Sequence, residues 1–301
     1  MTDTKPKESV RALLYEIVDY AGLFPPSTLS MTEAVCNYAT YKKSNYNWML
    51  GRFVVPLRRL PEFLVNGRDF FSKDKTDVWH LSVLASDDIS ETIRQIEDFN
   101  AENATSVVCD SIEIKADSSE LIEDISEFIP PQFDAYFEIP LGINLADLVA
   151  TLAINGQRAK IRTGGITADA FPKTAQIIRF MRTCLAANVP FKATAGLHHP
   201  LRCFKPLTYE SDAPEGTMNG FLNVFLAAGF LRQGYKLNFI SELLENESAD
   251  NFTFDDNGVL WKQEHFISLA QLRHLREKNV ISFGSCSFEE PIADLQEIGL
   301  L

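Results

Sequence analysis

Two stretches decide the reading of this chain: KIRTGGITADAFP, residues 160–172, and PFKATAGLHHP, residues 190–200. Each places a lysine inside a short apolar run and follows it with small residues and glycine. In an extended strand, residues two apart share a face. Lys160 therefore sits beside Arg162 and Lys192 beside Thr194, while Ile161, Phe191, Ala193 and Ala195 take the opposite side. SIEIKA, residues 111–116, repeats the design, with Glu113 and Lys115 on one face and Ile112 and Ile114 on the other. An apolar face packs under helices. The charged face must then point into the interior of a closed barrel, which branched apolar side chains ordinarily fill.

Working outward, the chain from about residue 50 alternates β-rich runs with helix-period segments, the pattern of an α/β protein with a parallel sheet. The runs are RFVVP (52–56), WHLSVL (79–84), SIEIKA (111–116), DAYFEIP (134–140), RAKIRT (158–163), PFKATAG (190–196) and VISFGS (280–285). Helices are expected near 87–103, 118–128, 144–155, 168–188, 217–233 and 265–279. Units of about thirty residues repeated seven or eight times favour a (β/α)8 barrel over an open doubly wound sheet. No GxGxxG follows the first run, and no cofactor is expected. An eighth strand is sought in NFTFDDNGVLWK, 251–262, whose Asp255 to Gly258 reads equally well as the turn of a hairpin leaving the barrel. The sequence leaves the seventh barrel strand unplaced.

The first fifty residues read differently. VRALLYEIVDYAGLF and MTEAVCNYATYKK carry apolar residues at helical spacing around a PPSTLS loop. The expected division is a helical cap over residues 1–50 and a barrel over 51–301. The YAGLFPPS loop either covers the barrel mouth or seals its side or bottom.

A chain of 301 residues, 46% of them apolar and 11% aromatic, is long enough to bury a large core. Its formal charge of −13, with no basic run, argues against nucleic acid and anionic membranes as partners. The longest apolar stretch, GFLNVFLAAGFL at 220–231, is too short to span a bilayer. Five cysteines, Cys36, Cys109, Cys184, Cys203 and Cys286, show no CxxC spacing, and no signal peptide is evident at the N-terminus. A cytoplasmic location is expected. The number of subunits is not legible.

Charged residues at the C-terminal ends of the strands converge on one mouth, where barrels carry their chemistry. Buried charges need partners, so Glu113, Lys115, Glu138, Lys160, Arg162 and Lys192 are expected to form a network. Four cations against two carboxylates leave room for an anionic ligand. Arg162 offers a planar fork for a carboxylate or phosphate, Gly164 and Gly165 permit close backbone approach just before a helix N-terminus, and Thr194 lies beside Lys192. A desolvated Lys192 near two other cations is expected to have a depressed pKa and to act as an amine nucleophile or as a point charge. Adjacent residues in an extended segment face opposite ways, so one of His198 and His199 is expected at the site as a proton carrier. Arg52 and His80, at the starts of their strands, rank second. Cys286 in FGSCSF is the one cysteine near the site.

FKATAG locally resembles the Schiff-base lysine segment of deoxyribose-phosphate-aldolase-like barrels, which implies class I aldolase chemistry at Lys192; the paired histidines and the helical N-terminus depart from that family. Over the longer order YAGLFPP, GRFVVP, EIKA, FEIP, KIRTGG and FKATAGLHHP, the chain resembles a group of uncharacterised bacterial (β/α)8-barrel proteins. That resemblance implies a single barrel and supplies no reaction. The sequence points to an enzyme acting on a small anionic carbonyl compound, of lyase or isomerase type. Two alternatives stand beside it: a divalent-metal enzyme with Glu113, Glu138 and a histidine as ligands, and a non-catalytic protein that binds an anionic metabolite.

Overall fold

Eight parallel strands close on themselves in the computed structural model, which describes residues 5–72 and 77–301. They are β1 (Val18–Tyr20), β2 (Leu50–Pro56), β3 (Trp79–Leu84), β4 (Val107–Lys115), β5 (Asp134–Glu138), β6 (Arg158–Arg162), β7 (Phe191–Thr194) and, after two excursions, β13 (Val280–Ser285). The order around the barrel runs β1 to β7 in sequence, and β13 lies between β7 and β1. The chain is an α/β protein with a (β/α)8 barrel. Among the described residues no helix is long and apolar enough to cross a membrane.

The eighth strand is not where the sequence suggested. It is β1, inside the segment read as a helical cap, so the expected boundary at residue 50 does not separate cap from barrel. The first helix, Glu8–Leu14, ends where Glu16 turns to φ 47°, and the chain emerges extended as Val18–Asp19–Tyr20. Val18 pairs with Phe283 of β13 and with Leu50 of β2, closing the ring. A second helix, Met31–Lys42, opens on a Ser30–Glu33 capping box and lays Tyr38 against Phe53 and Trp79 at ring distances of 5.4 and 4.9 Å.

Residues 251–262 form the excursion instead. The strands β10 (Phe252–Phe254), β11 (Gly258–Trp261) and β12 (His265–Ser268) make a separate antiparallel sheet, with Asp255 accepting from the backbone of Asn257 and Gly258 in the turn. This sheet and the helix Leu237–Leu244 explain why Phe221–Phe230 is buried on every side. Gly229 of that helix lies against Ile267 of β12, and the Asn223 amide donates to the carbonyls of Leu243 and Asn246. The other excursion is a hairpin, β8 (Cys203–Pro206) with β9 (Glu215–Met218), so the expected helix over 217–233 begins only at Phe221.

Alternation along the strands sorts their faces as expected. Val18, Phe53, Leu81, Val83, Ile112, Ile114, Phe137, Ala159, Ile161, Phe191 and Phe283 are buried under the helices. The register Lys115–Glu138–Lys160–Lys192 turns one run of charged residues to the other side, into the barrel.

Closure depends on Arg276. Its guanidinium donates to the carbonyls of Leu13 and Tyr15, at the entrance to β1, and of Val280 and Ile281 in β13. Burial outweighs the attraction of Asp19 and draws its pKa down to about 10. Arg276→Ala strands these carbonyls. Urea unfolding should show a loss of about 3 kcal/mol or more, and a loss below about 0.5 kcal/mol would remove Arg276 from the closure.

Candidate active site at the barrel mouth

The interior holds a chain of ions of alternating sign. Lys192, whose side chain is 1% exposed, lies 2.7 Å from Asp19 Oδ2 and 2.6 Å from Glu113 Oε1. The other oxygen of Glu113 is 2.6 Å from Lys160, which reaches Glu138 Oε2 at 2.9 Å, and Glu138 Oε1 accepts from Arg162 Nε at 3.0 Å. The Lys160–Glu138 contact is a charge contact without hydrogen-bond geometry, since Glu138 Oε2 has no hydrogen-bond partner among the described residues. Ser282 and the backbone of Arg52 donate to Asp19, and Ser82 donates to Glu113. Below this lattice lies Tyr136, with Lys192 Nζ 5.0 Å from its ring centre.

Three carboxylates thus face three cations, and the expected excess of positive charge is absent. Two residues account for it. Asp19 comes from the strand that the sequence hid, and Lys115 sits exposed at the rim with no ion pair among the described residues. Burial alone would draw the pKa of Lys192 down, but Asp19 and Glu113 outweigh it and hold the ammonium well above the ordinary lysine range. The expected depressed pKa is therefore corrected. Glu113, which burial alone would raise, is held far below the ordinary carboxylate range by Lys160 and Lys192.

Lys192 lies beneath the cavity and does not line it. The cavity, about 400 Å³, is bounded by Glu113, Lys160, Arg162, Gly164, Gly165 and Thr194 on one side. The loop after β1 covers it with Ala21, Phe24, Pro25 and Pro26, so the YAGLFPPS segment is a mouth cover. A neighbouring cavity shares Phe24, Glu113, Lys160 and Arg162 and extends to Glu138 and Lys115. The Arg162 side chain is 49% exposed. Its Nε is taken by Glu138, and its two terminal nitrogens have no protein partner among the described residues.

The glycines have a different local cause from the one expected. The α-helix after β6 starts at Thr174, and residue 168 opens only a single 3-10 turn, Ala168–Ala170, so Gly164 and Gly165 do not abut an α-helix N-terminus. Instead the loops after β6 and β7 touch backbone to backbone. A Cβ on Gly164 would stand 2.8 Å from Gly196 Cα, and Gly196 itself has φ 72°. Thr163 Oγ1 donates to the carbonyl of Ala195 at 2.6 Å, fastening the two loops.

The histidines separate as alternation requires. His198 lines the cavity; its Nδ1 is 3.2 Å from Glu290 Oε2 and 4.0 Å from Cys286 Sγ. Burial lowers its pKa, yet Cys286 and Glu290 lift it to about 9. His199 turns away and binds Asp294 at 2.5 Å, latching the loop to the last helix, Glu289–Glu297. Arg52 and His80 lie at the other end of the barrel, where both bind Asp110. Arg52 also approaches Asp134, as does Arg158. Neither Glu113 nor Glu138 meets a histidine among the described residues, and both are engaged by cations, so the expected Glu–His ligand set does not assemble. Sequence reasoning missed Asp19, Glu290 and Tyr209, the last of which reaches Glu290 at 3.3 Å from the loop between β8 and β9.

No protein-family model matches the chain, and no curated protein matches its sequence. The barrel agrees with the resemblance to (β/α)8 proteins, while the aldolase resemblance at Lys192 gains no support from these comparisons.

The lattice sets a pH window. Glu113, with its pKa depressed on folding, adds stability that is present above about pH 4.3 and lost as pH falls below it; Lys192, with its pKa raised, adds stability present below about pH 10.4 and lost only above it. Lys192→Met leaves Asp19 and Glu113 short of a cation and should cost about 3–5 kcal/mol at neutral pH. Its unfolding curves should also show a shallower loss of stability on acidification than the wild type, and an unchanged acid limb would refute the coupling.

Proposed function

We propose that the protein is an enzyme that takes a small anionic carbonyl compound into the mouth cavity and carries out a proton transfer of lyase or isomerase type. The observation that carries this reading is Arg162. Its guanidinium is anchored through Nε by Glu138, its two terminal nitrogens have no protein partner among the described residues, and its side chain lines the cavity. Such a fork suits a carboxylate or phosphate, which accepts two parallel hydrogen bonds.

The surrounding groups support the chemistry. Lys160 faces the same cavity as a cation between two carboxylates, placed to stabilise negative charge that develops on a carbonyl oxygen. His198, with its pKa near 9, carries a proton at neutral pH and can give it to such an oxygen. Glu138, held ionised by Lys160 and Arg162 against the effect of its burial, is an acceptor beside them. Gly164, Gly165 and Thr194 shape the wall. Lys192 is a positioning residue here, since an amine nucleophile must be neutral and two carboxylates keep this one charged. Lys115 extends the positive charge along the rim of the adjoining cavity.

The test pairs binding with exchange. Small keto- and hydroxyacids and sugar phosphates are screened for a rise in melting temperature, and those that bind are incubated in D2O and followed by proton NMR. Arg162→Ala should weaken binding about 10- to 100-fold, the loss expected for a charged hydrogen-bonded contact, without changing the melting temperature of the unliganded protein appreciably. No response to any anionic carbonyl compound would overturn the reading. Binding without proton exchange or turnover would favour a non-catalytic protein that senses an anionic metabolite.

A further inference from the structure

We propose that Cys286 is a nucleophile of the mouth cavity, paired with His198 as a thiolate–imidazolium couple and reacting with an electrophilic carbonyl carbon. Neighbouring strands bring the two together. His198 follows β7 and Cys286 follows β13, and these strands pair through Gly284 and Thr194. Cys286 Sγ stands 4.0 Å from His198 Nδ1, and Tyr209 Oη approaches the same sulfur at 3.7 Å. Both Cys286 and His198 line the cavity that holds Arg162 and Lys160.

Charged and titratable groups surround the pair: Glu290, Tyr209 and Tyr20, with Glu289 and Tyr41 on the outer side of Cys286 and His199 4.0 Å from Glu290. Glu290 accepts from Tyr209 and lies 3.2 Å from His198 Nδ1, which favours the protonated imidazole. Burial and the adjacent negative groups keep the Tyr209 phenol neutral. Tyr20, which is buried and shares a second cavity with Cys286, is likewise held neutral mainly by burial. Ser27 Oγ donates to the Cys286 carbonyl, fixing the backbone. Burial pushes the thiol pKa up, but hydrogen bonding and charge from His198, with smaller help from Ser27 and Tyr209, bring it below the ordinary cysteine value. Among the described residues none of the other cysteines meets a histidine, and only Cys203 has a cation, Lys205, acting on it against the larger effect of burial. Burial raises the thiol pKa of Cys109, Cys184 and Cys203, and Cys36 is exposed on the helix Met31–Lys42.

The step balances without an oxidant or reductant. The sulfur lone pair forms the C–S bond, the carbonyl π pair moves to oxygen, and that oxygen takes the proton from the His198 imidazolium, giving a hemithioacetal and a neutral imidazole. The substrate class rests on the preceding reading of the mouth, whereas the nucleophile does not.

The test uses alkylation of the full chain at about pH 6.5, where an unperturbed thiol is almost wholly protonated. Iodoacetamide consumes the same lone pair and releases iodide, and modified peptides are quantified by mass spectrometry. Cys286 should react about tenfold faster than Cys36, although Cys36 is the more exposed. His198→Gln should remove that advantage. The thiolate absorbance of the wild type minus that of Cys286→Ser measures the same state without the histidine variant, and should persist at about pH 6.5. If Cys286 reacts no faster than Cys36, or the difference absorbance appears only above about pH 8.5, the proposal is overturned. A parallel arm with iodoacetate separates the two ideas: preference for the charged reagent that vanishes in Arg162→Ala supports the anion clamp, and reaction with iodoacetamide alone supports the nucleophile while counting against the clamp.

Discussion

Glu113 bridges two buried ammonium groups, and much of the molecule is arranged around that one carboxylate. A charge inside a barrel has lost its water and must recover the loss from a close partner of opposite sign. Glu113 gives one oxygen to Lys192 and the other to Lys160. Each lysine then needs a further anion, and the requirement travels in both directions: to Asp19 on β1, and to Glu138 and Arg162 at the mouth. The short N-terminal strand is therefore tied to the fold by charge as well as by backbone pairing. Without Asp19, Lys192 would share a single carboxylate with Lys160.

Much of this was legible from residue types two apart. Ile112–Glu113–Ile114 and Phe191–Lys192–Ala193 can satisfy both of their faces only in a sheet whose inside is polar and whose outside is covered, so the barrel and the inward turn of its charges follow from alternation alone. The first strand was hidden for an equally local reason. Ile17 and Val18 extend the helical spacing of Val10, Leu13 and Leu14, and the break at Glu16 uses neither glycine nor proline. Missing that strand meant missing Asp19, and with it the sign of the Lys192 shift. A pKa depends on neighbours in space, and Asp19 is 173 residues from Lys192 along the chain.

The glycine pair was legible as a signal and not as a cause. RTGG and ATAG both suggest backbone that something approaches closely, and something does. For Gly164 and Gly196 it is the ring of Phe171 and each other. Their contact, with Thr163 bound to Ala195, makes the loops after β6 and β7 a single wall, so Arg162 on one side and His198 on the other hold their places without a ligand. The opposite wall comes from the loop after β1, whose Phe24, Pro25 and Pro26 are apolar. The cavity thus has the charged groups of Lys160 and Arg162 on one face and an apolar cover on the other.

Charge balance within the lattice has a further consequence for the mouth. Asp19, Glu113 and Glu138 cancel Lys192, Lys160 and Arg162 in number, so the lattice as a unit presents little net field to the cavity. What a ligand meets is the order of the charges, and the outermost is Arg162. At the other edge the His198 imidazolium lies between Glu290 and the Cys286 sulfur. A ligand anion can reach Arg162 without displacing Glu138, because the largely buried carboxylate takes only Nε of a side chain that is half in water. It cannot compete for Lys192, whose two carboxylates are held at short distance with no water between. The deep ions are therefore bound up with one another inside the barrel, and the shallow ones, Arg162 and His198, are those that border the cavity.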